Sequence, residues 1–117
     1  TTYGGNPFVG AAVSAVFDIF EKDRIINHVH EIAPYLEQKL DALVEKYDFL
    51  TARRGLGLMQ GVVCEKPVGK IASAALEHGL VVITAGADVL RFVPPLIIGK
   101  EHVDEMAEKL DAVLAEM

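Results

Sequence analysis

Between Ile25 and Tyr47 the apolar residues Ile25, Val29, Ile32, Leu36, Leu40, Leu43 and Tyr47 recur at helical spacing. That period specifies one long amphipathic helix whose apolar stripe has to be covered by a second layer. Pro34 falls within the stripe, where it removes a backbone donor, so the sequence predicts a bent helix rather than two separate ones. Asp23 is the expected N-terminal cap. A shorter helix should precede it. Asn6 can cap the free N–H groups there, Pro7 suits the first helical position, and Ala12, Val13, Val16, Ile19 and Phe20 describe an apolar face.

The covering layer comes from segments with strand character. Phe49 to Arg54 and Leu58 to Cys64 read as two strands, joined across Gly55-Leu56-Gly57 and therefore antiparallel. Glu65-Lys66-Pro67 breaks the pattern. Val68, Ile71, Ala72, Ala75 and Leu76 then define a short helix ended by Gly79. Leu80 to Thr84 is a β-branched run of the kind found in buried strands, and Ala85-Gly86-Ala87-Asp88 is a turn into a last strand, Val89 to Val93. Pro94-Pro95 stops that strand, and Lys100 to Met117 forms a final helix with Val103, Met106, Leu110, Val113 and Leu114 inward. The predicted fold class is α+β: a two-layer sandwich with a small, mostly antiparallel sheet covered by helices on one face.

A chain of 117 residues is one domain by size, and 51% hydrophobic with 24% charged residues is the composition of a folded domain. The net charge of -6 argues against nucleic acid or an anionic membrane as partner, since both demand a basic surface. The single cysteine, Cys64, excludes an intrachain disulfide and a cysteine metal cluster. No apolar run is long enough to span a bilayer, and Thr1 to Pro7 has no signal-peptide pattern. A chain that opens without Met, inside a glycine turn, reads as part of something longer, with the cytoplasm as default location.

Self-contained catalysis finds little support. Glu31, Glu37, Asp41 and Glu45 lie off the apolar stripe and read as a solvated face. His28 and His30 are two apart and cannot share a metal on a helix. His78 suits a helix C-terminus, His102 a capping or surface role, and Cys64 a small buried hydrophobe. Arg54-Gly55-Leu56-Gly57-Leu58 lacks the third glycine of a dinucleotide turn.

Two places carry more. Thr1-Thr2-Tyr3-Gly4-Gly5-Asn6-Pro7 is either a plain capped turn or a phosphate cradle of hydroxyls and backbone N–H groups at a helix start. Arg91, on the face opposite Leu90 and Phe92, needs either solvent or a carboxylate partner, and its planar fork suits two-point carboxylate binding.

Tyr3-Gly4-Gly5-Asn6-Pro7, Arg54-Gly55-Leu56-Gly57-Leu58 and Leu90-Arg91-Phe92-Val93-Pro94-Pro95-Leu96 follow one another in the order seen in class III aminotransferases. Over essentially its whole length the chain resembles the C-terminal domain of such an enzyme, a fold-type I protein dependent on pyridoxal 5'-phosphate. Thr84-Ala85-Gly86-Ala87-Asp88-Val89-Leu90-Arg91 is most similar to acetylornithine aminotransferases, with ornithine and 4-aminobutyrate aminotransferases as close competitors.

The resemblance implies several roles. Thr2 corresponds to a threonine that reaches across a homodimer to the cofactor phosphate of the neighbouring subunit. Arg91 corresponds to the arginine that binds the substrate carboxylate. Gly55 and Gly57 correspond to turn glycines. The lysine that forms the Schiff base with the cofactor lies upstream in the family, so no catalytic residue and no metal ligand is expected here. None of Lys22, Lys39, Lys46, Lys66, Lys70, Lys100 or Lys109 is nominated for that role. Residues 1–21 would be the loop and helix leading in from a large domain, and residues 22–117 the small-domain sandwich. The reaction implied is amino transfer from N-acetylornithine to 2-oxoglutarate in arginine biosynthesis, with the isolated chain inactive. A free-standing ligand-binding or regulatory α+β module is the alternative from another class.

Overall fold

A computed structural model describes residues 1–117 throughout. The elements in order are α1 (Pro7–Lys22), α2 (Ile25–Lys46), β1 (Leu50–Leu56), β2 (Met59–Cys64), α3 (Val68–Glu77), β3 (Ile83–Ala85), β4 (Val89–Phe92) and α4 (Lys100–Ala115). The strands make one antiparallel sheet in the order β1-β2-β4-β3. Two hairpins thus lie side by side, joined where β2 meets β4, with α3 carrying the chain between them.

The long stripe folds into a single helix that runs through Pro34 and buries Ile25, Ile32, Ala33, Leu36, Leu40 and Leu43. From α4, Val103, Leu110, Val113 and Leu114 join that stripe, and from α3, Val68, Ile71 and Ala75. Together they close over the inner sheet residues Val62, Cys64, Leu90 and Phe92. Covering the sheet on this side gives the α+β two-layer arrangement expected from the sequence.

The cap of α1 is the one predicted. Asn6 Oδ1 accepts from the Val9 N–H at 3.0 Å, with Pro7 opening the helix. Gly79, at φ +72, ends α3 in a Schellman arrangement, in which Gly79 N–H donates to the Leu76 carbonyl and Leu80 N–H to the Ala75 carbonyl. The predicted apolar face of α1 has a different fate. The helix buries no residue, packs mainly on α2, and leaves Phe8 and Phe17 largely exposed.

Four local expectations are corrected. Asp23 does not cap α2; it closes α1, its N–H bonded to the Ile19 carbonyl, and Arg24 turns the chain in the left-handed region at φ 52. The β1–β2 turn is Gly57-Leu58 rather than Gly55-Leu56-Gly57. Leu56 still pairs with Met59, and Gly57 takes φ +58, as the first central position of a II′-type hairpin turn requires. Leu80 to Thr84 is not a buried strand. The Schellman closure uses the Leu80 N–H, pairing begins only at Ile83, and β3 is a sheet edge with Val81 and Ile83 exposed. The last strand ends at Phe92, one residue short of the predicted Val93.

Between α2 and α4, Lys46 Nζ lies 2.7 Å from Asp111 Oδ1, and Tyr47 Oη donates to the same oxygen at 2.7 Å. These hydrogen bonds, from Lys46 first and then Tyr47, hold the Asp111 carboxyl below the usual carboxylate range. A depressed folded-state pKa contributes stability above the unfolded-state value, and that stability is lost as pH falls through the folded value. Asp111→Asn should therefore unfold at lower urea than the parent near neutral pH, with the gap closing below pH about 4. Urea midpoints across that pH range check it.

Candidate functional site

The sheet face turned away from the helices is set by cross-strand register. Arg54 of β1 pairs with Gly61 of β2, Gly61 pairs with Arg91 of β4, and Arg91 pairs with Ile83 of β3. Directly paired residues project to the same side of an antiparallel sheet. Arg54 and Arg91 therefore flank Gly61 in one row on the uncovered face. The neighbouring rows add Ala52 with Val63, Leu56 with Met59, and Val89 with Ala85. No acidic residue shares this face.

Arg91 sits between two anchored neighbours, Leu90 and Phe92, which point into the core with 1% and 5% exposure. Its own side chain is exposed, with neither an ion pair nor a hydrogen bond to another residue. Two concavities meet at Arg91. One, of about 590 Å³, lies on the open face and is shared with Arg54, Leu56, Met59 and Val89. The other, of about 340 Å³, opens between β4 and α4, and is apolar except for Arg91 and His102. A guanidinium without a counter-ion beside apolar walls can take a carboxylate through two parallel N–H···O bonds.

The adjacent arginine behaves differently. Arg53 points to the helix side, where Nε donates to Asp41 Oδ1 at 2.6 Å and Nη2 to Asp41 Oδ2 at 3.1 Å. Nη1 donates to Gln60 Oε1 at 3.0 Å, and Gln60, 1% exposed, donates to the Gly57 carbonyl at 2.7 Å and to Glu37 at 3.2 Å. This corrects the reading of Glu37 and Asp41 as a merely solvated face: both close a network that fastens the hairpin turn to α2. Alternation along β1 was the available signal, since it must send Arg53 and Arg54 to opposite faces.

Thr2 lies in the turn before α1, exposed. Gly4 N–H donates to the Thr1 carbonyl at 3.3 Å and Asn6 Nδ2 to the Tyr3 carbonyl at 2.6 Å, while Gly5 adopts φ +77. The Thr2 hydroxyl and the N–H groups of Tyr3 and Gly5 make no hydrogen bond within the chain. Such donors beside a helix start suit a phosphate. No hydrogen bond joins Thr2 to Arg91, and Thr2 lines neither of the concavities that meet at Arg91.

Several other titratable groups have structural partners. Lys39 pairs with Asp104 at 2.7 Å and Lys109 with Glu105 at 2.6 Å. Hydrogen bonds to Asp104 and Asp111 raise the pKa of Lys39 and Lys46 above the ordinary lysine value, which opposes nucleophilic use. His28 Nε2 lies 2.8 Å from the Ile98 carbonyl, and His102 Nδ1 accepts from the Gly99 N–H at 3.0 Å as an N-terminal cap of α4. Cys64 is buried in the core, and no group of residues is arranged to hold a metal ion. No helix is long and apolar enough to cross a membrane.

An α+β sandwich with an unpaired arginine on its bare sheet face and a donor-rich turn before its first helix matches known proteins along its whole length. The family model for class-III aminotransferases matches residues 1–114, and the chain belongs to that family. It is 40% identical over 117 residues to the acetylornithine aminotransferase of Methanocaldococcus jannaschii, covering all of this chain and 29% of that protein. The acetylornithine aminotransferase of Gloeobacter violaceus is likewise 40% identical, over 119 residues, with 30% of its length covered. Among solved structures, N-acetylornithine aminotransferase from Stenotrophomonas maltophilia K279a superposes with a TM-score of 0.84 at 33% identity, over 97% of this chain and 32% of that one. The acetylornithine aminotransferase of Elizabethkingia anophelis, at 23% identity, shares the fold with a TM-score of 0.91, over 100% of this chain and 30% of that one. The chain thus spans about 30% of the length of the relatives it matches.

Proposed function

We propose that this chain is the C-terminal portion of a pyridoxal-phosphate-dependent aminotransferase that moves an amino group from N-acetylornithine to 2-oxoglutarate, in arginine biosynthesis. Its part in that reaction is to bind the substrate carboxylate through Arg91. The carrying observation is that Arg91 stands without a counter-ion on the uncovered sheet face, beside a concavity that holds no acidic group. The acetylornithine aminotransferases of Methanocaldococcus jannaschii and Gloeobacter violaceus, each 40% identical to this chain, favour that donor over ornithine and 4-aminobutyrate.

When bound, the cofactor supplies an electron sink for chemistry at the α-carbon of an amino acid. The residues here fit its phosphate but not its reactive end. Thr2, with the Tyr3 and Gly5 N–H groups, offers donors for a phosphate, which we assign to a neighbouring subunit of a cytoplasmic homodimer. The ion-paired Lys39, Lys46 and Lys109 are poor candidates for the lysine of the reaction, which we place upstream of Thr1. Residues 1–21, whose helix buries nothing here, would then lead in from a large domain, leaving residues 22–117 as the small domain. Arg91 fixes the carboxylate, and with it the direction in which the α-hydrogen is presented.

Steady-state kinetics of the full-length protein with N-acetylornithine, ornithine and 4-aminobutyrate as donors test the reading. The expected result is the highest kcat/KM with N-acetylornithine, and no turnover by the 117-residue chain alone. A preference for either competitor would overturn the donor assignment, and absence of any transamination would overturn the reading as a whole.

A further inference from the structure

Two histidines that the function above does not use meet on one peptide unit. His28 Nε2, on α2, lies 2.8 Å from the Ile98 carbonyl, and since a carbonyl can only accept, the ring donates. On the other polar atom of the same peptide, the Gly99 N–H donates to His102 Nδ1 at 3.0 Å. His102 stands at the third position of α4, where a side chain that accepts from the N-cap N–H completes a capping box. A peptide unit is planar, so holding both its oxygen and its N–H fixes its orientation as well as its place. The two helices that carry the rings are themselves fastened together. Tyr35 Oη of α2 donates to Asp104 Oδ1 of α4 at 2.6 Å, and Lys39 Nζ of α2 lies 2.7 Å from the same oxygen.

The gripped peptide matters because of what precedes it. Residues 93–97 pair with no strand and belong to no helix, and their one hydrogen bond is that from the Ile98 N–H to the Pro95 carbonyl, at 3.3 Å. Pro94 and Pro95 have no N–H to offer. The position of this stretch is therefore set at its ends, by Phe92 of β4 on one side and by the peptide joining Ile98 and Gly99 on the other. The same stretch is a wall of the cavity of about 340 Å³ at Arg91: Val93, Pro94, Pro95, Ile98 and His102 line it together with that arginine.

We propose that His28 and His102 are positioning residues for Arg91. By gripping the peptide between Ile98 and Gly99 they hold residues 93–97 against the arginine, and so fix the direction of its guanidinium. The inference rests on the reading of Arg91 as the carboxylate anchor. Neither histidine is required to touch the substrate. An anchor whose supporting wall is loose loses its orientation, and the misplaced substrate reacts more slowly.

Steady-state kinetics of the full-length protein test this, with circular dichroism to establish that each variant folds. His28→Leu and His102→Leu, which remove the donor and the acceptor, should each lower kcat/KM for the amino donor about tenfold. His28→Gln and His102→Gln keep an amide donor and an amide acceptor at those places, and should stay within about threefold of the parent. A further arm repeats His28→Leu in an Arg91→Gln background. A residue that acts through Arg91 has nothing left to position there, so its tenfold loss should shrink to less than about twofold. The same loss in both backgrounds would make His28 a general support of the fold and overturn the proposal. Leu variants within about twofold of the parent, or Gln variants as damaged as their Leu counterparts, would also overturn it. If Arg91→Gln lowers kcat/KM while neither Leu variant does, only the positioning role falls. If Arg91→Gln itself changes nothing, the anchor reading falls and the positioning role with it. Should His28→Leu fail to fold, the His102 variants carry the same comparison, since that side chain is 58% exposed.

Discussion

An Arg91→Gln enzyme, in the full-length protein, is expected to lose about 10²–10³ in kcat/KM for the amino donor while folding normally. Two charge-assisted hydrogen bonds to a carboxylate are at stake, worth about 1.5–3 kcal/mol each before any is lost to solvent. At about 1.4 kcal/mol per factor of ten, even partial loss reaches that range. The decline should appear in kcat as well as KM, because an unanchored carboxylate also leaves the α-carbon misaligned. Arg91→Lys should recover only part of it, since an ammonium offers a point charge instead of a planar fork. The exposed side chain contributes nothing to the core, which Leu90 and Phe92 anchor on either side. An unchanged circular-dichroism spectrum would show that folding survives. Retention of kcat/KM within about threefold of the parent would show that Arg91 does not hold the substrate.

The second large effect falls on folding. Gly55 lies inside β1 at φ +154, and a Cβ there would stand within contact distance of the Met59 carbonyl oxygen and 2.8 Å from Gln60 Cα. Both are backbone atoms of the paired strand, so Gly55→Ala cannot be relieved by a rotamer change. Backbone strain of about 1–3 kcal/mol adds to the cost of prying the hairpin apart. A total of about 4 kcal/mol or more is expected, a large share of a small domain's stability. Gly57→Ala makes the useful comparison. At φ +58 its Cβ would meet only the Val29 side chain, at 3.3 Å, and the cost should be about 1–2 kcal/mol. Urea denaturation of the two variants decides the matter, and an equal or smaller loss at Gly55 would contradict the clash.

How much of this could be read from the chain follows from the range of the physics involved. The helices were legible because their signals are local: the 3.6-residue stripe from Ile25 to Leu43, the Asn6-Pro7 start and the Gly79 stop each act within a turn or two. The Leu80–Thr84 run misled, because β-branched residues suit an edge strand and a cap as well as a buried strand, and only Val82 of the run is buried. Gly55 and Gly57 were recognised as special, but which of them turns the chain depended on Leu58 folding into the core. At the site, Arg91 was legible from alternation and from the motif around it. Arg54 was not, since its alignment with Arg91 exists only through the pairing of β1 with β2 and of β2 with β4. The Arg53–Asp41–Gln60 network was hidden for the same reason, as its members come together only when the hairpin docks on α2.

The most direct test of Arg91 as the carboxylate anchor is a crystal structure of the full-length protein with its amino-acid substrate or a dicarboxylic analogue bound. The expected result is a substrate carboxylate on the uncovered sheet face, its oxygens about 2.7–2.9 Å from the Arg91 guanidinium nitrogens. A carboxylate held by another residue, with Arg91 out of hydrogen-bond reach, would contradict the assignment.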